Sequence, residues 1–437
     1  VYKRQRWHYR LGHIGLKTVQ FILRTGSLAK TQAMQKLHHR AANVPHHDLP
    51  KCAACQFGKQ TCRPKPGIKG KANKDKEGVL SAEKLQPGQR VFVDHFTCSD
   101  RGRKVSGRGV KNKKKNARIT RSDQSYGGGC IFVDAASGHI EVELQEAFNG
   151  PDTVKAIERY EDRAKDDGIT VQEYQFDNGK AFTSKHMKQH LTENKQTSRF
   201  SGTGSHHQNG RAERAIRTIM SMARTMMIHS GSQWPEQSET SSWPLAVRHA
   251  VFIYNHVPDV NTGLTPIELW SRTRGDIRKL HDSHVWGCPV YVLEKKIADG
   301  RKLPRWRHRS QRGMCMGRSD NHAGNVPLVL NLETGNITAQ WNLVFDDWFS
   351  TAVAGQDDLP DFNADEWSRM FGASTYHVPQ HDDLDDSEIM NERPSRTPFD
   401  PDRDGLMWGV TPPKDDPDYE MYQQGRLDSV LNEPECM

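Results

Sequence analysis

The spacing of apolar residues changes period several times along this chain, and each change marks an element. Val171, Tyr174 and Phe176 form a short strand-like run, and Asn178-Gly179 is a turn signal, so Asp177 falls at the carboxyl end of a strand. From residue 212 the apolar positions Ala212, Ala215, Ile216, Ile219, Met220, Ala223, Met226 and Met227 recur at helical spacing. Glu213 lies one position off that stripe, on the helix edge, where it can face a strand end. Upstream, VFVDHF sets Asp94 inside another apolar strand. GGGCIFVDAASGHIEVELQ reads as strand, turn and strand, with Ile140, Val142 and Leu144 alternating with polar residues as on a half-buried strand. Pro151 stands near the start of a helix over 151–166, and TSRF at 197–200 is a further strand. The order is therefore three strands, helix, strand, helix, strand and long helix. Beyond it, Trp243, Ala246, Val247, Ala250, Val251, Ile253, Tyr254 and Val257 share one stripe of an amphipathic helix that stops near Pro258. Residues 284–348 are β-rich, with a hairpin turn at LETGNI. Near the amino terminus Leu16, Val19, Ile22 and Leu23 give a helical stripe too small to be stable alone.

Length and charge divide the chain further. Its 437 residues allow two to four domains at roughly 100–200 residues each. The apolar fraction is 35%, below the ordinary ~45–50% that also counts Gly, so a core cannot extend over the whole length. The net charge of +8 is unevenly placed: residues 355–437 hold 21 Asp and Glu against 6 Lys and Arg, and the preceding residues carry 56 Lys and Arg against 33 Asp and Glu. A basic body with an acidic, Pro-containing tail predicts a polyanion partner for the body and disorder for the tail. Residues 63–88 are rich in Pro, Gly and Lys, the composition of a linker. Residues 101–121 carry ten Lys and Arg, among them Lys113, Lys114 and Lys115, and no acid. That run reads as a solvated loop that meets DNA phosphates in a complex, and a nuclear-import patch is a second use for it. Eight cysteines, two of them in a C-x-x-C, point to a reducing compartment rather than a disulfide scaffold. No run of 18 apolar residues occurs and no signal peptide opens the chain, so no membrane role is expected. The first residue is Val, which suggests a piece of a longer polyprotein or a truncated copy of one.

Two sets of side chains carry candidate chemistry. Asp94, Asp177 and Glu213, two from strands and one from a helix, can share a pair of divalent cations, and thirty-five residues separate the last two. Hard carboxylate oxygens suit Mg²⁺ or Mn²⁺. The second set is His8 and His13, separated by four residues, with Cys52 and Cys55. Two imidazoles and two thiolates suit one tetrahedral Zn²⁺, and the metal could supply the folding energy that the short stripe lacks. Histidines five apart cannot share a helical face, so one ligand should come from the turn before the helix. Spacing alone equally allows surface histidines and an incidental cysteine pair. His38, His39, His46 and His47 compete as ligands from a polar connector, and Cys62 reads as a bystander. Around the acids, Asn178 and Gly179 shape a turn, and residues 205–210 form a polar loop. Asn178, His207, Gln208, Asn209, Arg211, Arg214 and Arg217 are candidates for contact with DNA; for the arginines, solvent-facing helix positions are equally consistent.

DNGKAFTS and HHQNGRAERAIRTI, at that spacing and behind WHYRLGH and CAACQFGK, resemble the copia-type retrotransposon integrases. The resemblance spans roughly residues 7 to 348. Asp94, Asp177 and Glu213 look like the family's D,D-35-E triad, and the His and Cys residues like its HHCC pre-integrase finger, which strengthens the zinc reading. The implied fold is α/β: a ribonuclease-H-like mixed sheet flanked by helices, in which the first and fourth strands are neighbours. A helical zinc finger would precede it and a small β-barrel-like domain follow it. The implied divisions are 1–62 for the finger, 63–88 for the linker, 89–270 for the core, 271–350 for the β-rich part and 351–437 for the tail. The implied partners are double-stranded DNA, both element ends and target, and further copies of the chain. The implied locations are the nucleus and cytoplasmic virus-like particles. In such a site Asp94 would bridge both ions, Asp177 hold one and Glu213 the other. Water would trim the 3′ end where trimming is needed, and the freed 3′-hydroxyl would then attack target DNA. The family has a short hairpin connection where this chain has its basic run at 101–121. Asp134 ends a strand, yet its place in the family is a turn without metal, and its spacing to any suitable Glu is wrong. A catalytically inactive or domesticated copy that binds DNA or chromatin is the competing reading. A ribonuclease-H-like nuclease shares the fold, but the finger and the spacing count against it.

Overall fold

A computed structural model of the chain describes residues 2–26, 28–44, 51–60, 85–105, 125–202, 209–274, 280–303, 306–319, 322 and 326–352. Four helices come first: α1 (Tyr2–Arg10), α2 (Leu16–Thr25), α3 (Gln32–Asn43) and α4 (Ala53–Lys59). Then follow β1 (Val91–Arg103), β2 (Ser125–Asp134), β3 (Ile140–Gln145), α5 (Gly150–Asp166), β4 (Glu173–Phe176), α6 (Lys185–Glu193), β5 (Thr197–Phe200), α7 (Gly210–Gln233), α8 (Trp243–His256) and α9 (Pro266–Ser271). The five strands form one sheet in the order β3-β2-β1-β4-β5. The first three pair antiparallel, and β4 runs parallel to both β1 and β5. The first and fourth strands are neighbours, so the core is the α/β ribonuclease-H-like arrangement that the element order predicts.

The pleat sorts the two faces. Val91, Val93, Cys130, Phe132, Tyr174 and Phe176 point into one apolar cluster with Ala156, Ile157 and Tyr160 of α5 and Met187 and Leu191 of α6. Phe96, Ile131, Val133, Ile140, Val142 and Leu144 point into the other, against Ala212, Ala215 and Ile219 of α7 and Ala246, Val247 and Ile253 of α8. Side chains alternate along a strand, so Asp94, between Val93 and His95, lies on the α7 face with Phe92 and Phe96. Asn149 caps α5 by accepting from the Asp152 N–H at 2.8 Å, and Pro151 occupies its first turn. β3 is more buried than an alternating strand should be. Glu143 is buried on the α5 face because Arg159 and Arg163 of α5 pair with it.

A second sheet, all antiparallel, has the order β10-β6-β7-β8-β9, from β6 (Pro289–Leu293), β7 (Ser310–Arg318), β8 (Pro327–Asn331), β9 (Ile337–Ala339) and β10 (Leu343–Phe345). A short α10 (Lys295–Ala298) follows β6. The β8–β9 turn is the LETGNI hairpin, with Gly335 at φ 69°. The apolar residues of α2, α7, α8 and this sheet form a single cluster: Val19, Ile22 and Leu23 belong to it together with Ala223, Val290, Met314 and Leu330. The α2 stripe therefore completes its core by packing on its neighbours.

Asp347 joins the two ends of the described chain. It is fully buried, with Arg6 Nη2 at 3.2 Å, Arg10 Nε at 3.6 Å, His284 Nδ1 at 3.1 Å and the donating Val285 N–H at 3.0 Å. Burial pushes its carboxyl up, but His284 and Arg10 outweigh burial and hold it well below the usual aspartate range. The folded-state value is depressed, so the stabilisation is present at neutral pH and is lost as pH falls through the acid range. Asp347→Ala leaves Arg10 buried without its anion and should cost about 3–5 kcal/mol. Denaturant melts at pH 7 check this, and a loss under ~1 kcal/mol would contradict it.

Two sequence expectations need correction here, and a third, that Asp134 belongs to a turn, agrees with the structure. Residues 32–43 form helix α3 rather than a polar connector; His38 is buried in it, edge-on to Trp7 at 5.9 Å, whereas His39 is exposed. The basic run at 101–121 begins inside β1: Arg101 donates to the Glu146 carbonyl at 3.0 Å, Arg103 donates to the Gly335 carbonyl, and Lys104 pairs with Glu146. These three cations are engaged in the protein itself. Asp134, set aside as a ligand, is wholly buried and closes the β2–β3 turn, accepting from Gly88 N at 2.9 Å, Ser137 N at 2.7 Å and Ser137 Oγ at 2.7 Å. Lys113, Lys114, Lys115, His46, His47, His207, Gln208, nearly all of the 63–88 linker and nearly all of the acidic tail lie outside the described residues.

Candidate active site and candidate zinc centre

The parallel pairing of β1 and β4 sets Val91 opposite Tyr174 and Phe92 opposite Gln175. Asp94 lies two residues further along β1, and Asp177 is the first residue after β4. Tyr174 and Phe176 face α5 and α6, so alternation turns Gln175 to the α7 face, the face of Asp94, and Asp177 follows at the strand end. α7 covers that face with its buried Ala212 and Ala215, and Glu213 sits half-buried between them. Asp94 and Glu213 are thus on the α7 side of the sheet, with Asp177 at the strand end close enough for its charge to act on Asp94. Their charges are felt in common. Burial, then the Asp177 charge and more weakly Glu213, push the Asp94 carboxyl up to about 6, while the His95 N–H opposes. The donors fix the carboxylates: His95 N–H to Asp94 Oδ1 at 2.8 Å and Gly179 N–H to Asp177 Oδ1 at 3.1 Å.

The raised value has a sign. The folded chain holds the Asp94 proton more tightly than the unfolded one, so in the absence of metal this group's stabilisation is lost as pH rises from 3.8 towards about 6. A cation must displace that proton. Mg²⁺ affinity should therefore fall towards about tenfold per pH unit below pH 6. Calorimetric titration at pH 5 and pH 7 tests this, and equal affinities would contradict it.

Residues around the acids divide into those turned outward and those used by the fold. Arg214 and Arg217 are exposed on α7, and Asn178 is exposed with its Nδ2 donating to the Ser201 carbonyl at 2.6 Å. Two DNA-contact expectations meet a different placement. Asn209 is buried, and its Nδ2 donates to the Val93 carbonyl at 3.0 Å, pinning the start of α7 to β1 beside Asp94. Arg211 donates to the Ala135 carbonyl at 2.5 Å and lies over the Phe92 ring at 5.4 Å. The sequence reading missed His95. It stacks on Phe182 at 4.4 Å with its Nε2 3.3 Å from Thr153 Oγ1, and burial lowers it to about 4, so it is neutral beside the acids. Its position next to Asp94 in VDHF was the available signal.

The histidine and cysteine set converges tightly. One ligand atom from each of His8, His13, Cys52 and Cys55 lies within 4.8 Å of all the others. Cys55 Sγ is 3.3 Å from His8 Nε2 and 3.7 Å from His13 Nδ1, and Cys52 Sγ is 3.4 Å from His13 Nδ1. With Zn–S about 2.3 Å and Zn–N about 2.0–2.1 Å, a tetrahedral S···N edge is about 3.5–3.6 Å, so donor set and spacing both fit zinc. His8 ends α1, and His13 comes from the turn before α2 at φ 59°, as the spacing requires. His8 Nδ1 lies 2.8 Å from the Ile14 carbonyl, which leaves Nε2 free for metal. Burial lowers His13 to about 4 and keeps it neutral. The hydrogen bond with Cys55 draws Cys52 towards thiolate against the pull of burial, and His13 assists. Among the described residues no other group of three or more such ligands converges in this way.

No family model matches the chain. Solved structures similar to it include the HTLV-2 integrase catalytic core domain in complex with magnesium, trimeric form (17% identity, 42% of this chain, 97% of that one, TM-score 0.29). They also include the catalytic core domain of BIV integrase (16% identity, 42% and 95%, TM-score 0.30). A third is the simian T-cell lymphotropic virus intasome in complex with PP2A regulatory subunit B56 gamma (12% identity, 60% and 83%, TM-score 0.30). Likeness at this level assigns neither activity nor residue roles to this chain.

Proposed function

We propose that this chain is the integrase part of a copia-type retrotransposon polyprotein, a polynucleotidyl transferase that trims element 3′ ends where needed and joins them to target DNA. The reading rests on one arrangement: Asp94 lies in β1, Asp177 directly follows its parallel neighbour β4, α7 bears Glu213 over the same sheet, and both other charges act on Asp94. Three hard carboxylates in that relation fit Mg²⁺ or Mn²⁺. Two such ions, when bound, polarise the phosphodiester and activate the attacking hydroxyl. The chain's own residues then have defined tasks. Asp94, Asp177 and Glu213 offer oxygens to the cations. The His95 and Gly179 N–H groups hold the two strand carboxylates in orientation, and neutral His95 adds no competing charge. Arg214 and Arg217, outward on the Glu213 helix, meet DNA phosphates, with Asn178 at the strand end and His207, Gln208 and Lys113 to Lys115 as further contacts. His8, His13, Cys52 and Cys55 hold one structural Zn²⁺. Segments 1–62, 89–270 and 271–350 act as finger, catalytic core and assembly domain of a multimer on DNA, in virus-like particles and then the nucleus.

The test uses the full chain with Mg²⁺, a short duplex bearing free 3′-hydroxyl ends and a supercoiled plasmid. Covalent joining of duplex to plasmid is expected. Salt-sensitive binding to both DNAs without joined or cleaved product would favour the inactive DNA- or chromatin-binding copy. Cleavage confined to RNA–DNA hybrids would favour the nuclease.

A further inference from the structure

His229 lies near the carboxyl end of α7, four turns from Glu213, and is buried. Its Nδ1 is 2.9 Å from Nε2 of His13. The other nitrogen of His13, Nδ1, is the one that faces Cys52 and Cys55. The pair is enclosed by aromatic rings: Tyr9 meets His229 edge-on at 4.3 Å, and Phe349 stacks on it at 5.5 Å. The same surface of α7 receives the finger at a second point. A Cβ at Gly58 of α4 would lie 2.4 Å from Thr225 Oγ1 and 3.0 Å from Thr225 Cα, so the helices touch backbone to backbone there. At a third point Gly12, between the two histidine ligands, faces Met222 and Met226.

We propose that His229 is the positioning residue that locks the helix bearing Glu213 to the zinc centre. When His13 Nδ1 binds the metal, the ring proton must sit on Nε2, where the partner among the described residues is His229 Nδ1 at 2.9 Å, which then accepts it. Metal-bound imidazoles are oriented and made more basic by such a partner. Zinc loading therefore fixes the His13 tautomer, the tautomer selects the bond to His229, and the bond holds α7 in register on the finger. Linkage makes the effect reciprocal: the docked helix raises zinc affinity as much as zinc stabilises the docked helix. Glu213 is at the other end of the same rigid helix, so the structural metal sets where a catalytic carboxylate stands. The inference rests on the zinc reading of the four ligands and on α7 as the catalytic helix.

Zinc and cobalt titrations of the full chain, with hydrogen exchange over residues 219–233, test it. In the native chain Co²⁺ should give the visible spectrum of a tetrahedral S₂N₂ site, and Zn²⁺ should slow exchange across 219–233. His229→Leu should weaken zinc binding about 10–100-fold, the scale for losing an outer-sphere partner, and abolish the zinc-dependent slowing. His229→Gln, whose amide oxygen still accepts, should recover most of both. Native zinc affinity together with native slowing in His229→Leu would overturn the inference alone. So would a native chain that binds zinc tetrahedrally without any change in α7 exchange, a result that needs no variant to fold. A native chain with no tetrahedral cobalt spectrum would overturn the zinc reading itself, and the inference with it.

Discussion

Asp177→Asn is expected to reduce strand joining in Mg²⁺ by at least about 10²–10³-fold, the scale for removing one group that stabilises developing charge. The substitution keeps shape and an Oδ1, so the bond from the Gly179 N–H survives. Only the charge goes. It also removes the largest neighbouring charge acting on Asp94, whose carboxyl should then ionise more easily. Asp94→Asn and Glu213→Gln should lose joining on the same scale, and the three losses should not add, since the acids act as one ligand set. DNA affinity should stay within about threefold, because phosphate contacts, not the acids, supply binding. Product quantified by gel at matched protein and DNA gives the comparison. Joining by Asp177→Asn at the native rate would end the transferase reading and leave a basic protein that holds DNA.

Stripping zinc is the second large effect. Isolated zinc-finger peptides owe about 10–16 kcal/mol to their metal. Here the loss should be smaller, since Val19, Ile22 and Leu23 remain packed in the cluster shared with α7 and α8. A loss of about 4 kcal/mol corresponds to a fall in Tm of roughly 8–16 °C. Chelation, or Cys55→Ser, should produce it, with enhanced proteolysis in 1–60 before the rest. Lys59, which donates to the His13 carbonyl, and Gly58, wedged on Thr225, should lose their places first. Melting curves with metal content measured on the same samples decide the matter; an unchanged melt after complete zinc removal would contradict it.

Much of this arrangement was legible from local pattern. Asp177 could be placed at a strand end because Asn178-Gly179 follows it, and Glu213 on a helix edge because the apolar stripe fixes the helix phase. For His8, His13, Cys52 and Cys55, residue type and spacing alone equally allowed surface histidines and an incidental cysteine pair, and the likeness of the flanking words to the copia-type finger favoured the zinc set. What stayed hidden depends on contacts between distant segments. Asn209 and Arg211 read as DNA contacts since both are polar and beside the active-site helix, yet the carbonyls of Val93 and Ala135 engage them. Arg101, Arg103 and Lys104 look like part of a loop by charge, but the sheet register extends β1 through the first two, and Glu146 and Gly335 lie beside them. His229 carried no local signal; only the approach of the α1–α2 turn to α7 gives it a role. Periodicity reports which face is buried, and it is silent about which carbonyl waits on the far side.

Whether Asp94, Asp177 and Glu213 converge on bound cations decides the transferase reading. Anomalous scattering from crystals of the full chain soaked in Mn²⁺ measures that directly. Cation peaks are expected with oxygens of Asp94 and Asp177 in the coordination sphere at about 2.0–2.2 Å, Glu213 completing the set once DNA is present. Peaks elsewhere, with the three carboxylates bare at millimolar Mn²⁺, would contradict it.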